Sequence, residues 1–185
     1  MAFDKMNLGL SYMEHGLYSE AAKQFNEAFD NRTDNLDLQF LRDFFPDDST
    51  LAQNMTDAFS FQIDYDTTGA SYFYLALFNS SKNEAYGFIQ SYIYNQPSDL
   101  RGLLLYSNLL FENGEHFDAL FQYQKVLWLN PQNLDAQIGV GLCLYHLGEF
   151  RDAASALRRS LKIDPYTHIS YYYLGLSLMA DENFR

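Results

Sequence analysis

A spacing of 34 residues governs what this chain can fold into. Alanines recur at Ala85, Ala119 and Ala153, and prolines at Pro97, Pro131 and Pro165. Gly114 and Gly148 keep the same step, as do Gly141 and Gly175, and Leu110, Leu144 and Leu178. Several residue types locked to one period of this size mark a stack of supersecondary units, each too small to bury its apolar face alone. The two clearest copies are 100–133 and 134–167. The rest of the chain reads as further copies, worn or shortened.

Within each copy the pattern is helix, short turn, helix. In 2–35, Leu8 and Tyr12 fall at helical spacing, and so do Ala21, Phe25 and Ala28, on facing sides of a predicted pair. Gly16 stands where the first helix must stop, because glycine accepts the left-handed geometry of a helix end. The next stretch, 36–65, is shorter and breaks the pattern. It is expected to hold a helix over Leu36–Phe45, a turn at Pro46–Thr50 and a second helix over Leu51–Phe61. It reads as a degenerate copy or as an acidic insertion lying over the stack. The 66–99 copy carries Tyr72, Leu75 and Ala76 on one helix and Ala85, Ile89 and Tyr92 on the other. Second helices end at Leu129-Asn130-Pro131 and Ile163-Asp164-Pro165, since proline cannot continue a helix and biases the residue before it away from helical geometry. Residues 168–185 supply a first helix only, so a longer array is expected.

Charge and composition narrow the partners. The chain has 185 residues, 48% of them hydrophobic, and a net charge of −12. Residues 1–66 hold 13 acids and 4 bases, against 11 and 8 in the remainder. Such a chain repels phosphate, which argues against nucleic acid as a direct partner. No apolar run approaches the length of a membrane helix, about 18 residues or more. The N-terminus shows no secretory pattern. With Cys143 as the only cysteine, an intrachain disulfide is impossible. A cytoplasmic location is expected.

The residues now named resemble the tetratricopeptide-repeat family of stacked 34-residue helix pairs. The first copy supplies Leu8-Gly9, Tyr12, Gly16, Tyr18, Ala21, Phe25 and Ala28. The 134–167 copy supplies Gly141, Leu144, Gly148, Phe150, Ala153, Leu157 and Pro165, and 100–133 supplies Gly114, Ala119, Tyr123, Val126 and Pro131. The resemblance spans everything except about 36–65. It implies an all-α fold: an α-solenoid of antiparallel helix pairs in a right-handed superhelix, one domain over 1–185. Its signature residues are packing positions, so it says little about function. Gly9, Gly141 and Gly175 are expected where helices approach closely.

Nothing in the chain assembles a catalytic or metal site. His15, His116, His146 and His168 are too far apart in sequence to make an i, i+4 metal pair, and no phosphate loop or nucleophile elbow is present. Cys143 lies between Leu142 and Leu144 with no base beside it and reads as a small buried hydrophobe. The chain is read as a non-enzyme without cofactor. In the resembled family the first helices line a concave face. The register places Tyr74, Phe78, Arg101, Leu104, Asn108, Phe111, Ile138, Leu142, Tyr145 and Tyr172 there. This set is apolar and aromatic. Family members that clamp acidic C-terminal tails use Lys, Asn and Arg at these positions. Here the equivalent places hold Met6, Leu10, Ser71, Arg101 and Leu105, so that ligand is rejected.

An apolar or amphipathic helical segment of another protein fits better. Asn108 and Arg101 are the polar groups expected to set its register. Tyr94 and Trp128, one period apart, suggest a second surface. The apolar side of the last helix, around Tyr171–Leu174, suggests self-association. Three readings follow: a scaffold or adaptor, a dedicated chaperone for an aggregation-prone client, or a regulatory or targeting domain of a larger enzyme.

Overall fold

The computed structural model describes residues 2–30, 56, 59–60, 69–78 and 82–183. The helices expected at Leu36–Phe45 and over most of Leu51–Phe61 lie outside the described residues. Those described form helices joined by short turns, with no strand among them. In chain order they are α1 Ala2–Glu14, α2 Tyr18–Asp30, α3 Ala70–Phe78, α4 Lys82–Asn95, α5 Leu100–Glu112, α6 His116–Leu129, α7 Leu134–His146, α8 Phe150–Ile163 and α9 His168–Asn183. The chain divides into two compact units, Met1–Pro97 and Ser98–Arg185.

Local chemistry sets the helix ends. At the turns inside the α1–α2, α5–α6 and α7–α8 pairs the same closure recurs. The N–H of Glu149 donates to the Leu144 carbonyl at 2.9 Å, and that of Gly148 to Tyr145 at 3.1 Å. Glu115 and Gly114, and Leu17 and Gly16, repeat both bonds. This double bond pattern requires a left-handed residue after the helix. Gly16, Gly114 and Gly148 supply it with φ of 71°, 82° and 82°. Between pairs a different device works. The Asn130 side chain accepts from Gln132 N–H at 3.1 Å, and Asp164 from Tyr166 N–H at 2.9 Å, each folding the chain around the proline between. Asp99 and Asn133 then cap α5 and α7 through bonds to the first backbone N–H groups.

In the Met1–Pro97 unit the core is aromatic. Phe59 is fully buried and stacks on Tyr74 with ring centroids 4.6 Å apart, while lying 6.3 Å from Phe25 of α2. Tyr74 meets Phe73 edge-on, and Phe73 in turn contacts Tyr92 of α4. Leu8, expected to face α2, is instead 43% exposed, and Gly9 carries that contact: a Cβ there would lie 2.6 Å from the Phe25 ring.

In the Ser98–Arg185 unit, α7 touches α5, α6, α8 and α9. Leu103 and Leu110 of α5, Tyr123 and Val126 of α6, Val140 and Cys143 of α7 and Leu157 of α8 form its core. The helices approach at glycine. A Cβ on Gly139 would lie 2.5 Å from the Tyr123 ring, and one on Gly141 would lie 2.6 Å from Leu157. Gly175 corrects the expectation. A Cβ there would meet nothing within 4 Å, because no side chain sits over that part of α9.

That contrast is measurable by chemical denaturation. Gly139→Ala should lower stability by about 1–3 kcal/mol, since the buried Tyr123 ring has nowhere to move. Gly175→Ala should instead be neutral or gain up to about 1 kcal/mol, the helix-propensity difference.

Candidate functional site

The register-derived residues separate into three groups. The first is structural. Tyr74 is 2% exposed beneath Phe59 and presents no surface to a ligand, which corrects its assignment to a groove. The side chain of Phe78 lies outside the described residues. Arg101 reaches back to its own helix cap: its Nη2 donates to Asp99 Oδ2 at 2.9 Å and its Nε to both carboxylate oxygens at 3.3 Å. Burial works against the Asp99 charge. The Arg101 guanidinium and two backbone N–H groups outweigh it and hold the carboxyl below its ordinary range. Arg101 is therefore engaged in capping α5 and is not a free register-setting group.

Asn108 also differs from expectation. Its Oδ1 accepts from the Tyr123 hydroxyl at 2.5 Å. Tyr123 is buried, and burial pushes its phenol well above the ordinary value, so the hydroxyl remains a donor. Asn108 thus satisfies a core tyrosine, and a charged residue there would disturb folding as well as any ligand. Sequence reasoning missed this because the two residues stand 15 positions apart on different helices.

The second group remains accessible. Leu104, Phe111, Ile138, Leu142 and Tyr145 are all half-buried, and Tyr172 is 63% exposed. They come from α5, α7 and α9, the first helices of successive pairs, and these helices contact one another through α7. Rings gather at one end of this strip. His116 and His146 stack with centroids 4.6 Å apart, Phe111 lies 5.0 Å from His116, and Tyr145 meets Tyr173 edge-on at 5.3 Å. The His116 Nδ1 is buried with no hydrogen-bond partner. Burial, and then the neighbouring His146, hold the His116 imidazole below its ordinary value. The histidines expected to be unrelated are thus in ring contact.

The third group is exposed outright. Tyr94 is 88% and Trp128 84% exposed, so neither packs on its local loop. Cys143 is fully buried, which pushes its thiol up to about 12 and leaves it unreactive at neutral pH. Among the described residues no cluster of three or more His, Cys, Asp or Glu side chains is placed to hold a metal. None of the described helices is long and apolar enough to cross a membrane.

Helix pairs closed by the same glycine turn, stacked through first helices, define an α-solenoid of antiparallel pairs. Known proteins agree. Residues 104–168 match the family model described as tetratricopeptide repeat. Tetratricopeptide repeat protein 1 of Schizosaccharomyces pombe is 37% identical over 79 residues, covering 42% of this chain and 8% of that protein. The BBSome complex member BBS4 homolog of Drosophila melanogaster is 27% identical over 84 residues, covering 45% of this chain and 17% of its own length. The chain therefore spans less than a fifth of the curated relatives it matches.

Solved structures are similar in fold at low identity. MamA superposes with a TM-score of 0.67 at 17% identity, over 75% of this chain and 86% of its own. A thermophilic TPR protein of Thermus thermophilus gives 0.61 at 13%, over 97% and 100%. YrrB, described as a TPR protein with an unusual peptide-binding site, gives 0.58 at 13%, over 93% and 91%. Residues 104–168 therefore carry the tetratricopeptide repeat, and the fold around them is similar to that of solved proteins of this kind.

Two substitutions test the buried contacts. Asn108→Leu strands the Tyr123 hydroxyl and should cost about 1–3 kcal/mol in urea unfolding, with most of the loss recovered when Tyr123→Phe is added. A depressed imidazole value means the unfolded chain binds the proton more readily than the folded one. Stability should therefore hold above the ordinary value of 6.5 and fall as pH drops from there through the lower folded value. The urea midpoint measured across that range should decline less in His116→Phe than in the parent.

Proposed function

We propose that this chain is a protein-interaction module whose inner strip receives an apolar or amphipathic helical segment of another protein. Tetratricopeptide repeats are in general protein-binding scaffolds and typically carry no catalytic machinery of their own. The observation that supports the finer reading is the half-exposed apolar strip of Leu104, Phe111, Ile138, Leu142 and Tyr145, extended by exposed Tyr172. Five of these side chains keep part of their apolar surface in water although they lie on helices packed side by side. A partner helix with residues at i, i+3, i+4 and i+7 would cover such a strip. The peptide-binding site of YrrB, on a similar fold, is consistent with this. In this reading the repeats over 1–185 belong to one domain.

The adaptor reading is taken ahead of a dedicated chaperone or the regulatory part of a larger enzyme because packed rings shape one end of the strip. The lone buried thiol suits a reducing, cytoplasmic compartment. Self-association through α9 is the second reading, since Ile169, Tyr171, Tyr172 and Met179 are 45%, 54%, 63% and 64% exposed.

Panning a displayed library of amphipathic helical peptides tests the first reading. Enriched peptides should share helical apolar spacing, and Leu142→Glu should weaken them on the order of tenfold or more, as loss of a central anchor does. Far-ultraviolet circular dichroism should be unchanged. Peptides that bind parent and Leu142→Glu equally would sink the inner-strip reading.

A further inference from the structure

The outer helices carry a surface of different chemistry. On α6, Phe121 is 56% and Trp128 84% exposed, with the Lys125 ammonium 5.6 Å over the Phe121 ring. One period later, α8 places Ser155, Arg159 and Lys162 at the equivalent positions, all exposed. The fold therefore does not need apolar residues there; α8 packs with polar and basic ones. Trp128 shares its position with the exposed Tyr94 one period earlier, whereas Phe121 has Gly87 there, so the pair of exposed rings is particular to α6.

Charge distribution gives this face a sign. The whole protein carries −12, yet residues 119–134 and 153–163 contain no Asp or Glu at all. They contain Lys125, Arg158, Arg159 and Lys162, all exposed. Among the described residues no ion pair engages any of the four. The one outer-face arginine that is paired, Arg151 with Asp181 at 2.7 Å, lies at the opposite end of α8. Asp118 and Asp152 sit in the first turns, where they favour the positive helix end, and Asp135 and Asp164 follow just past these two stretches, the Asp164 carboxylate accepting from the Tyr166 N–H and the Thr167 hydroxyl. The outward sides of α6 and α8 thus combine exposed rings with exposed cations that no ion pair engages among the described residues.

We infer that this outer face, Phe121 and Trp128 of α6 with Lys125, Arg158, Arg159 and Lys162, docks a short acidic segment of a partner protein bearing an aromatic or aliphatic anchor. Cations flanking a ring favour carboxylates flanking an apolar side chain, and Arg matches carboxylate geometry in a two-pronged contact. The size of the ligand follows from the protein's remaining charge. An anionic membrane or a nucleic acid is an extended negative surface and would meet the rest of a −12 chain as well. A second copy would bring another −12 with it. A short segment delivers carboxylates only where the cations stand. This surface lies on second helices, so its occupancy is independent of whether the inner strip binds anything.

Trp128 is the only tryptophan in the chain, and its exposure makes it a direct reporter. The probe is a short, acetylated and amidated synthetic peptide alternating Asp and Glu with Phe and Leu. Titrated into the full chain, it should move Trp128 emission to shorter wavelength, saturably, and added salt should weaken it. The same peptide with Asn and Gln in place of the acids should bind about tenfold or more weakly. Arg158→Glu with Arg159→Glu should weaken the acidic peptide to a similar degree with circular dichroism unchanged, and Leu142→Glu should leave it intact. Equal binding of the neutral peptide would overturn the proposal. So would a shift produced by phosphatidylserine vesicles but not by the peptide, or one that depends only on protein concentration, which would mean that a second copy covers the face.

Discussion

The fold rests on one repeated contact, a large side chain from one helix pressed against a glycine on the next. Phe25 lies over Gly9, Tyr123 over Gly139 and Leu157 over Gly141, each close enough that a methyl group could not be added. Each such glycine costs about 1 kcal/mol of helix propensity. The return is the close approach that lets a short helix pair bury Ala21, Ala119 or Ala153 completely. A single pair of this size has too little core to stand alone, so stacking follows from the contact itself.

Polar ties then fix what the close approach leaves loose. Tyr123 is held by Asn108, the Ser160 hydroxyl donates to Ser170 at 2.7 Å, and Gln137 donates to the Ala156 carbonyl at 3.3 Å. These bonds join different helices, so they set rotation as well as separation. A satisfied buried bond contributes modestly, whereas a stranded partner is expensive. The ties therefore select one arrangement of the pairs more than they deepen its stability. Both candidate surfaces depend on this, because the inner strip and the outer aromatic face lie on helices whose rotation these bonds decide.

Much of the helix layout was legible because its causes are local. Gly114 and Gly148 stop helices through their own φ angles, and Pro131 and Pro165 do so through the missing N–H. Neither effect needs a distant partner. Exposure of Trp128 and Tyr94 was also legible, since position in the period sets it. Site residues were harder. Asn108 reads as a surface amide until Tyr123 is found across the helix pair. Arg101 reads as a ligand-facing cation until the Asp99 cap claims it. Tyr74 reads as groove-lining until Phe59, from the most irregular part of the chain, is placed over it. Gly175 shares its period with Gly141 yet has nothing above it. In each case a residue's role was decided by a side chain that the 34-residue register does not relate to it.

The arrangement around α7 has a consequence in time. This helix touches α5, α6, α8 and α9, whereas the contacts of α5 fall on α6 and α7 and those of α9 on α8 and α7. In a structure whose units contact only near neighbours, order is lent from the middle outward. Opening α7 means opening its unit, but either end can loosen alone. The amides of α7 are therefore the slow clock of the Ser98–Arg185 unit. Those of α5 and α9 run faster, so the rims of the inner strip breathe around a fixed centre.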